Sequence, residues 1–180
     1  PSSASSVYPL PPPARTKVAT AYRGVRHEFR EVPEGCSRDL AQGLWIKAVQ
    51  DGARASDSRK YQKDAAVLEA ALAEETSPFL IARYRFYLAQ SYRDADLLEP
   101  AIANYLERAS LGGWDQEVFY SLHSAAKMNE QLGHPDDEVL VTYLRAHRVC
   151  PFRVESVYAA AEFCRKKGRY QRADTVAGKC

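Results

Sequence analysis

Residues 86–109, FYLAQSYRDADLLEPAIANYLERA, decide the fold of this chain. In the first half of the stretch, Leu88, Ala89 and Tyr92 fall on one helical face, and a short polar turn follows. A second apolar stripe then runs through Ala101, Ile102, Tyr105 and Ala109. Small side chains at Ala89 and Ala101 allow two helices to cross closely. The stretch therefore predicts a helix, a tight turn and a second helix.

The order Leu-Ala-x-x-Tyr, a turn, an alanine and then an aromatic residue resembles the tetratricopeptide repeat. Residues 157–173, VYAAAEFCRKKGRYQRA, repeat this order, with Gly168 at the turn and Ala173 at the packing position. Between the two stretches, Tyr143 and Ala146 occupy the late aromatic and alanine positions of a third hairpin. The resemblance implies a mainly α fold, a tetratricopeptide-like antiparallel array of about seven helices (an α-solenoid), with a small β element near the N-terminus.

Composition and charge argue against several classes of protein. The net charge of +2 gives no broad electrostatic reason to expect nucleic acid or an anionic membrane as partner. No apolar run is long enough to span a bilayer, and no signal peptide opens the sequence. The four cysteines form no C-x-x-C pair and lack histidines at zinc-finger spacing. We therefore expect a cytoplasmic protein with reduced thiols and without a metal site.

The chain divides into three predicted segments. Residues 1–14, uncharged and rich in proline and serine, predict a linker or a disordered start. Residues 15–52 contain strand patterns at 15–32 and 43–49, and two strands alone do not form a sheet with its own core. Residues 53–180 predict the helical repeat domain.

Four segments also resemble the tail of bacterial family-2 glycosyltransferases that carry a tetratricopeptide-like C-terminal region. They are RGVRHE, RKYQKD, FYLAQSYRD and GGWDQEVFYS, in that order, and the resemblance runs from about residue 15 to the end. It implies that residues 15–52 are the end of a catalytic domain. In the full-length enzyme, a sugar would be transferred from a nucleotide donor, normally with a divalent metal. We expect the chain to lack a D-x-D motif, and no βαβ half precedes His27, so the segment alone is expected to be inactive and to hold no cofactor.

The same resemblance places His27 and Glu28 near the donor diphosphate and metal of such an enzyme. An imidazole is a reasonable metal ligand, and the neighbouring carboxylate suits a base or an orienting group. The alternative is a polar pair on an exposed strand. Arg54 and Lys60 suit phosphate contacts at the domain junction. The alternative there is a helix start in which Lys60 pairs with Asp64, four residues on.

A binding groove is predicted on the concave face of the array, where the first helices of successive hairpins lie. Sequence alignment of the hairpins gives an aromatic row with polar companions one turn later: Phe86, Phe119 and Tyr158, then Gln90, His123 and Glu162. Exposed aromatic rings with polar neighbours suit a protein or glycan acceptor. The alternative is that the row packs in the core.

Two functions follow from this sequence. The first is the scaffold or acceptor-binding part of a glycosyltransferase, and the second is a non-enzymatic tetratricopeptide-repeat module for protein–protein interaction. The last helix, residues 170–179, is short and lacks a polar capping repeat. We expect it to fray or to form a homodimer with a second copy.

Overall fold

Seven helices make up most of the computed structural model, which describes residues 6–9, 21–35, 45–48 and 59–178. They are α1 (Lys60–Glu74), α2 (Pro78–Asp94), α3 (Leu98–Ser110), α4 (Asp115–Leu132), α5 (Asp136–Val149), α6 (Glu155–Lys166) and α7 (Tyr170–Ala177). Ser77 caps α2 with its hydroxyl group, and Pro78 takes the first helical position, where its missing N–H costs nothing. The prediction of a mainly α fold is confirmed.

Four short strands form two separate antiparallel pairs in the described part of the chain. The strand β1 (Ser6–Pro9) pairs with β4 (Trp45–Ala48), and β2 (Ala21–Arg23) pairs with β3 (Phe29–Glu31). The small β element is thereby confirmed. However, β1 lies within the segment predicted as a linker. Three residues before a proline are too few to show the alternation by which a strand is recognised.

Consecutive helices pack against each other along the whole array. In the α4–α5 pair, the thiol of Cys150 at the end of α5 donates to the carbonyl of Asp115 at the start of α4, at 3.4 Å. Tyr143 in α5 donates its hydroxyl to Glu130 in α4 at 3.0 Å. These contacts join opposite ends of the two helices, which therefore run antiparallel.

Small side chains allow the helices to approach closely, as the sequence predicts. Ala89 in α2 and Ala101 in α3 are fully buried and pack in one cluster with Tyr105 and with Ala125 of α4. A second cluster joins α4, α5 and α6 around Ala126, Val139, Tyr143, Val157, Ala160 and Phe163. The first helices also touch each other directly, because Phe86 of α2 contacts Tyr120 of α4 at 5.7 Å between ring centroids.

The helices α2, α4 and α6 end in the same way. A residue one or two positions beyond the end of each helix adopts a left-handed backbone. These residues are Asp96 (φ 59°), Gly133 (φ 72°) and Gly168 (φ 70°). The next backbone N–H then donates to a carbonyl five residues earlier, in the pairs Leu97–Tyr92 (2.9 Å), His134–Asn129 (3.0 Å) and Arg169–Cys164 (2.8 Å). This is the long-range bond of a Schellman motif. Structurally equivalent positions therefore lie 37 and then 35 residues apart.

Candidate functional site

A groove of about 630 Å³ opens between α2 and α4, and we call it the α2–α4 groove. Its walls carry five aromatic side chains and three arginines: Phe79, Phe86, Tyr87, Trp114, Tyr120, Arg83, Arg108 and Arg153. The volume lies in the range of small-molecule pockets. The groove combines apolar faces with polar groups, as a binding site requires.

The aromatic rings form a packed floor and an exposed rim. Phe86 is half-buried and stands edge-on to Tyr120 and Tyr105. The hydroxyl of Tyr120 accepts a hydrogen bond from Arg93 at 2.8 Å, which fixes the ring. At the rim, Trp114 is 69% exposed and Phe79 is 58% exposed. The rim therefore presents ring faces to a ligand.

Two of the three arginines are already saturated by their neighbours. Arg108 donates Nε and Nη2 to Glu117 at 2.8 and 2.6 Å, and Nη1 to the Gly112 carbonyl at 2.7 Å. Arg153 donates Nε and Nη2 to Glu155 at 3.0 and 2.6 Å, and Nη1 to the side chain of Gln116 at 3.1 Å. Both positive charges are balanced by a carboxylate within the protein.

Arg83 differs from the other two arginines of the groove. Its Nη2 donates to the carbonyl oxygen of His27 at 2.5 Å, and its guanidinium lies 5.0 Å from the Tyr87 ring and 5.4 Å from the Phe29 ring. No carboxylate among residues 21–35 and 59–178 forms an ion pair with it. Among the residues that the structure describes, the charge of Arg83 is therefore not neutralised by a carboxylate.

The β2–β3 hairpin packs against the array beside this groove. Arg26 forms an ion pair with Asp64 of α1, and the His27 ring stacks on Tyr87 of α2 with 3.8 Å between centroids. Phe29 meets Phe79 edge-on at 5.1 Å. Because Phe79 and Tyr87 also line the groove, the hairpin holds one of its walls.

The structure places His27 and Glu28 beside the groove but does not unite them as a catalytic pair. His27 has a left-handed backbone (φ 52°), and its ring is taken up by the stack on Tyr87. Burial, followed by the positive charges of Arg83 and Arg26, lowers the pKa of His27. Glu28 is exposed to solvent. What the hairpin contributes here is a packed ring and a backbone acceptor for Arg83.

The structure describes one of the two predicted junction contacts. Arg54 falls outside the described residues. Lys60 stands in the first turn of α1 with its ammonium group 5.0 Å from the Tyr61 ring, and it does not line the groove. The alternative pairing of Lys60 with Asp64 is wrong, because Asp64 pairs with Arg26. A residue far along the chain outcompetes the local i, i+4 partner.

The predicted aromatic row splits when the helices are aligned by their ends. Phe119 is 1% exposed and packs in the core against Val118, Leu122 and Ala146, so its assignment to the groove is wrong. When α2, α4 and α6 are aligned by their equivalent ends, Phe86 of α2 matches His123 of α4 and Tyr158 of α6. The sequence alignment shifted α4 by about one helical turn, since Phe86 and Phe119 are both aromatic and about one repeat apart.

The remaining members of the predicted set lie along the same helices. His123, Tyr158 and Glu162 line a second hollow of about 700 Å³ between α4 and α6. His123 Nδ1 is hydrogen-bonded to the Ser156 hydroxyl at 2.8 Å, and burial, followed by the charge of Lys127, lowers the pKa of its ring. Tyr158 is 68% exposed. Gln90 is half-buried and lines neither hollow.

Sequence reasoning missed the rim residues Phe79 and Trp114 as binding groups. Both rim rings lie at the start of a helix: Phe79 is the second residue of α2, and Trp114 immediately precedes α4. Helix starts are rarely buried on all sides, so an aromatic residue there is a usable signal for exposure.

Within the part of the chain that the structure describes, no three His, Cys, Asp or Glu side chains come together as a metal site. The sequence does contain one Asp-x-Asp tripeptide, Asp94-Ala95-Asp96, at the turn after α2. Asp94 pairs there with Arg93, and Asp96 supplies the left-handed residue of the turn. In the same described ranges, no helix is long and apolar enough to cross a membrane.

No protein-family model and no curated protein matches this sequence. The functional argument therefore depends on the α2–α4 groove and on the hairpin beside it.

Proposed function

We propose that this chain is a tetratricopeptide-like array of helix hairpins, and that it forms the acceptor-binding part of a family-2-like glycosyltransferase. The proposal depends most on one observation. The β2–β3 hairpin, which by resemblance ends the catalytic domain, packs directly beside an aromatic groove on the array. An acceptor in that groove would lie next to the domain that delivers the sugar.

Support for the repeat comes from the shared ends of α2, α4 and α6. Their left-handed residues recur at spacings close to the 34 residues of a tetratricopeptide repeat. The first helices also touch one another: Phe86 contacts Tyr120, and His123 contacts Ser156. In such arrays the first helices line the concave side. The two hollows lie along these helices, which supports a ligand site on this side of the proposed array.

Support for a carbohydrate ligand comes from the rim of the groove. Trp114 and Phe79 are exposed, and polar side chains such as Arg83 and Gln116 line the same groove. A sugar ring has one apolar face and a polar edge, which matches an aromatic face beside donors and acceptors. Full-length activity would require a nucleotide-sugar site and a divalent metal in a preceding domain. The protein would then work in the cytoplasm, where its buried Cys150 and Cys164 stay reduced.

The alternative is a non-enzymatic module that binds another protein through the same surface. Two measurements separate the alternatives. Reading the coding sequence upstream of Pro1 is the simpler: a D-x-D-bearing α/β domain there supports the enzyme, and a start codon near Pro1 supports the module.

The second measurement is binding to a panel of oligosaccharides and short peptides. We expect oligosaccharides to bind, and we expect Trp114→Ala to lower their affinity at least tenfold. Tyr170→Ala, which removes an exposed aromatic ring outside the groove, serves as the control. Peptide binding that depends on Trp114, without any oligosaccharide binding, would refute the carbohydrate function.

A further inference from the structure

We propose that the α2–α4 groove selects a sugar residue that carries a carboxylate, with Arg83 binding the carboxylate and Trp114 stacking on the ring. This inference rests on the proposed function, because it names the chemical class of the acceptor that the groove receives.

The charge balance of the groove points to a single negative group on the ligand. Arg108 and Arg153 are each neutralised by a glutamate and use their N–H groups within the protein. Arg83 gives one N–H to the His27 carbonyl and is not paired with a carboxylate of the described ranges. One open positive charge matches a singly charged carboxylate better than a dianionic phosphate.

The geometry around Arg83 holds the guanidinium ready for this contact. The guanidinium carbon lies over the rings of Tyr87 and Phe29, at 5.0 and 5.4 Å from their centroids, and the His27 carbonyl anchors one nitrogen. A planar guanidinium presents parallel N–H groups that fit the two oxygens of a carboxylate. Because the side chain is already positioned, little conformational entropy is lost when the ligand binds.

The apolar rim favours a sugar over an acidic peptide. Trp114 is the most exposed of the groove's aromatic rings, and a ring on the ligand can stack on it while its carboxylate extends toward Arg83. The volume of about 630 Å³ suits a short oligosaccharide and is small for a folded partner. Charge and stacking together therefore specify an acidic sugar.

The test uses trigalacturonate and galactotriose, two trisaccharides that differ chiefly in their carboxylates. The chain has two tryptophans, so a Trp45→Phe background leaves Trp114 as the fluorescent reporter in the groove. Binding is titrated for this protein and for Arg83→Gln, Arg83→Lys and Arg145→Gln. Arg145 is an exposed arginine of α5 that does not line the groove, and its variant is the matched control.

We expect trigalacturonate to bind at least tenfold more tightly than galactotriose, and added salt to reduce this preference. Arg83→Gln should abolish the preference while galactotriose still binds. Arg83→Lys should keep part of it, because the charge remains but the fork of N–H groups is lost. Arg145→Gln should change neither affinity. Circular dichroism melting of each variant establishes that the affinities refer to folded protein.

Three other results would overturn the inference. Equal affinities for the two trisaccharides, or a preference for trigalacturonate that persists in Arg83→Gln, would show that Arg83 does not bind a carboxylate. The groove would then be a site for neutral glycans. Tighter binding of glucose 6-phosphate than of galacturonate would assign Arg83 to a phosphate. Binding of an acidic peptide such as Glu-Tyr-Glu, without binding of either trisaccharide, would defeat both this inference and the proposed function.

Discussion

The ring of His27 lies parallel to the ring of Tyr87, with 3.8 Å between centroids and 8° between planes. This stack joins the β2–β3 hairpin to α2. Stacked aromatic pairs contribute about 0.5–1.5 kcal/mol beyond the area that they bury. We expect His27→Ala to loosen the hairpin by about 1 kcal/mol and His27→Phe to retain most of the contact. Hydrogen exchange of residues 21–31 measures the effect, and unchanged protection in His27→Ala would contradict it.

Acid should weaken the same contact. Because the pKa of His27 is lowered in the folded protein, the folded state binds fewer protons than the unfolded state at mildly acidic pH. Stability is therefore full above the unfolded pKa of about 6.5 and declines as pH falls through and below that value. His123 has a lowered pKa as well and contributes with the same sign.

The two histidines can be separated by melting temperatures measured between about pH 7.5 and 5. His27→Phe should remove the part of the acid sensitivity that belongs to the hairpin, and the part due to His123 should remain. If His27→Phe leaves both the melting profile and the hydrogen exchange of the hairpin as acid-sensitive as before, His27 is not the group that titrates.

The ion pair between Arg108 and Glu117 should matter more than the pairs on the surface. Arg108 is only 2% exposed and joins α3 to α4, so removing one partner leaves the other charge buried. We expect Arg108→Ala to lower the free energy of unfolding by about 3–5 kcal/mol. The pair of Arg172 with Asp137 is largely exposed and screened by solvent, so Arg172→Ala should lower the stability much less than Arg108→Ala. Urea denaturation compares the two, and equal losses would refute the argument.

Phe119→Ala should destabilise the fold without a specific loss of binding. The side chain is fully enclosed by the core, so its truncation leaves a cavity and costs about 3–5 kcal/mol. Tyr158→Ala, on the exposed side of α6, should change stability by about 0.5 kcal/mol or less. Thermal melts and ligand titrations on both variants are the measurement. A small loss of stability in Phe119→Ala, together with weaker ligand binding, would show that Phe119 lines the groove instead of the core.

We expect the purified chain to transfer no sugar by itself. The stack on Tyr87 occupies the ring of His27, the residue that the family resemblance places near the donor. The measurement is an assay for transfer or hydrolysis of a set of nucleotide sugars with Mg²⁺ or Mn²⁺ present. Turnover that His27→Ala abolishes would prove that this segment contains a catalytic residue.

The helices were predictable from sequence because their signals are local. Ala89 and Ala101 recur on the buried face, and Gly133 and Gly168 supply the left-handed turns. The register of the groove was not predictable, since it depends on which residues of α4 face α2. Phe119 and His123 are one turn apart on the same helix, and only the packing of α5 and α6 around them distinguishes core from surface.

The contacts of the hairpin were also beyond sequence reasoning. Arg26 and Asp64 pair across 38 residues, and Arg83 meets the His27 carbonyl across 56. No spacing rule connects such positions. By contrast, the exposed Trp114 lies in the segment GGWDQEVFYS, whose main signal in the sequence is its resemblance to the glycosyltransferase tail.

Because α2, α4 and α6 end with the same backbone turn, these turns are equivalent points at which a segment could be inserted or removed. Each first helix closes its own backbone at Asp96, Gly133 or Gly168, and the main contacts run between neighbouring helices. A whole hairpin taken from one such turn to the next is thus a cassette with matching ends. If the helices form the tetratricopeptide-like array proposed above, duplicating residues 97–133 would lengthen the molecule by one hairpin and add another hollow, without redesigning either junction.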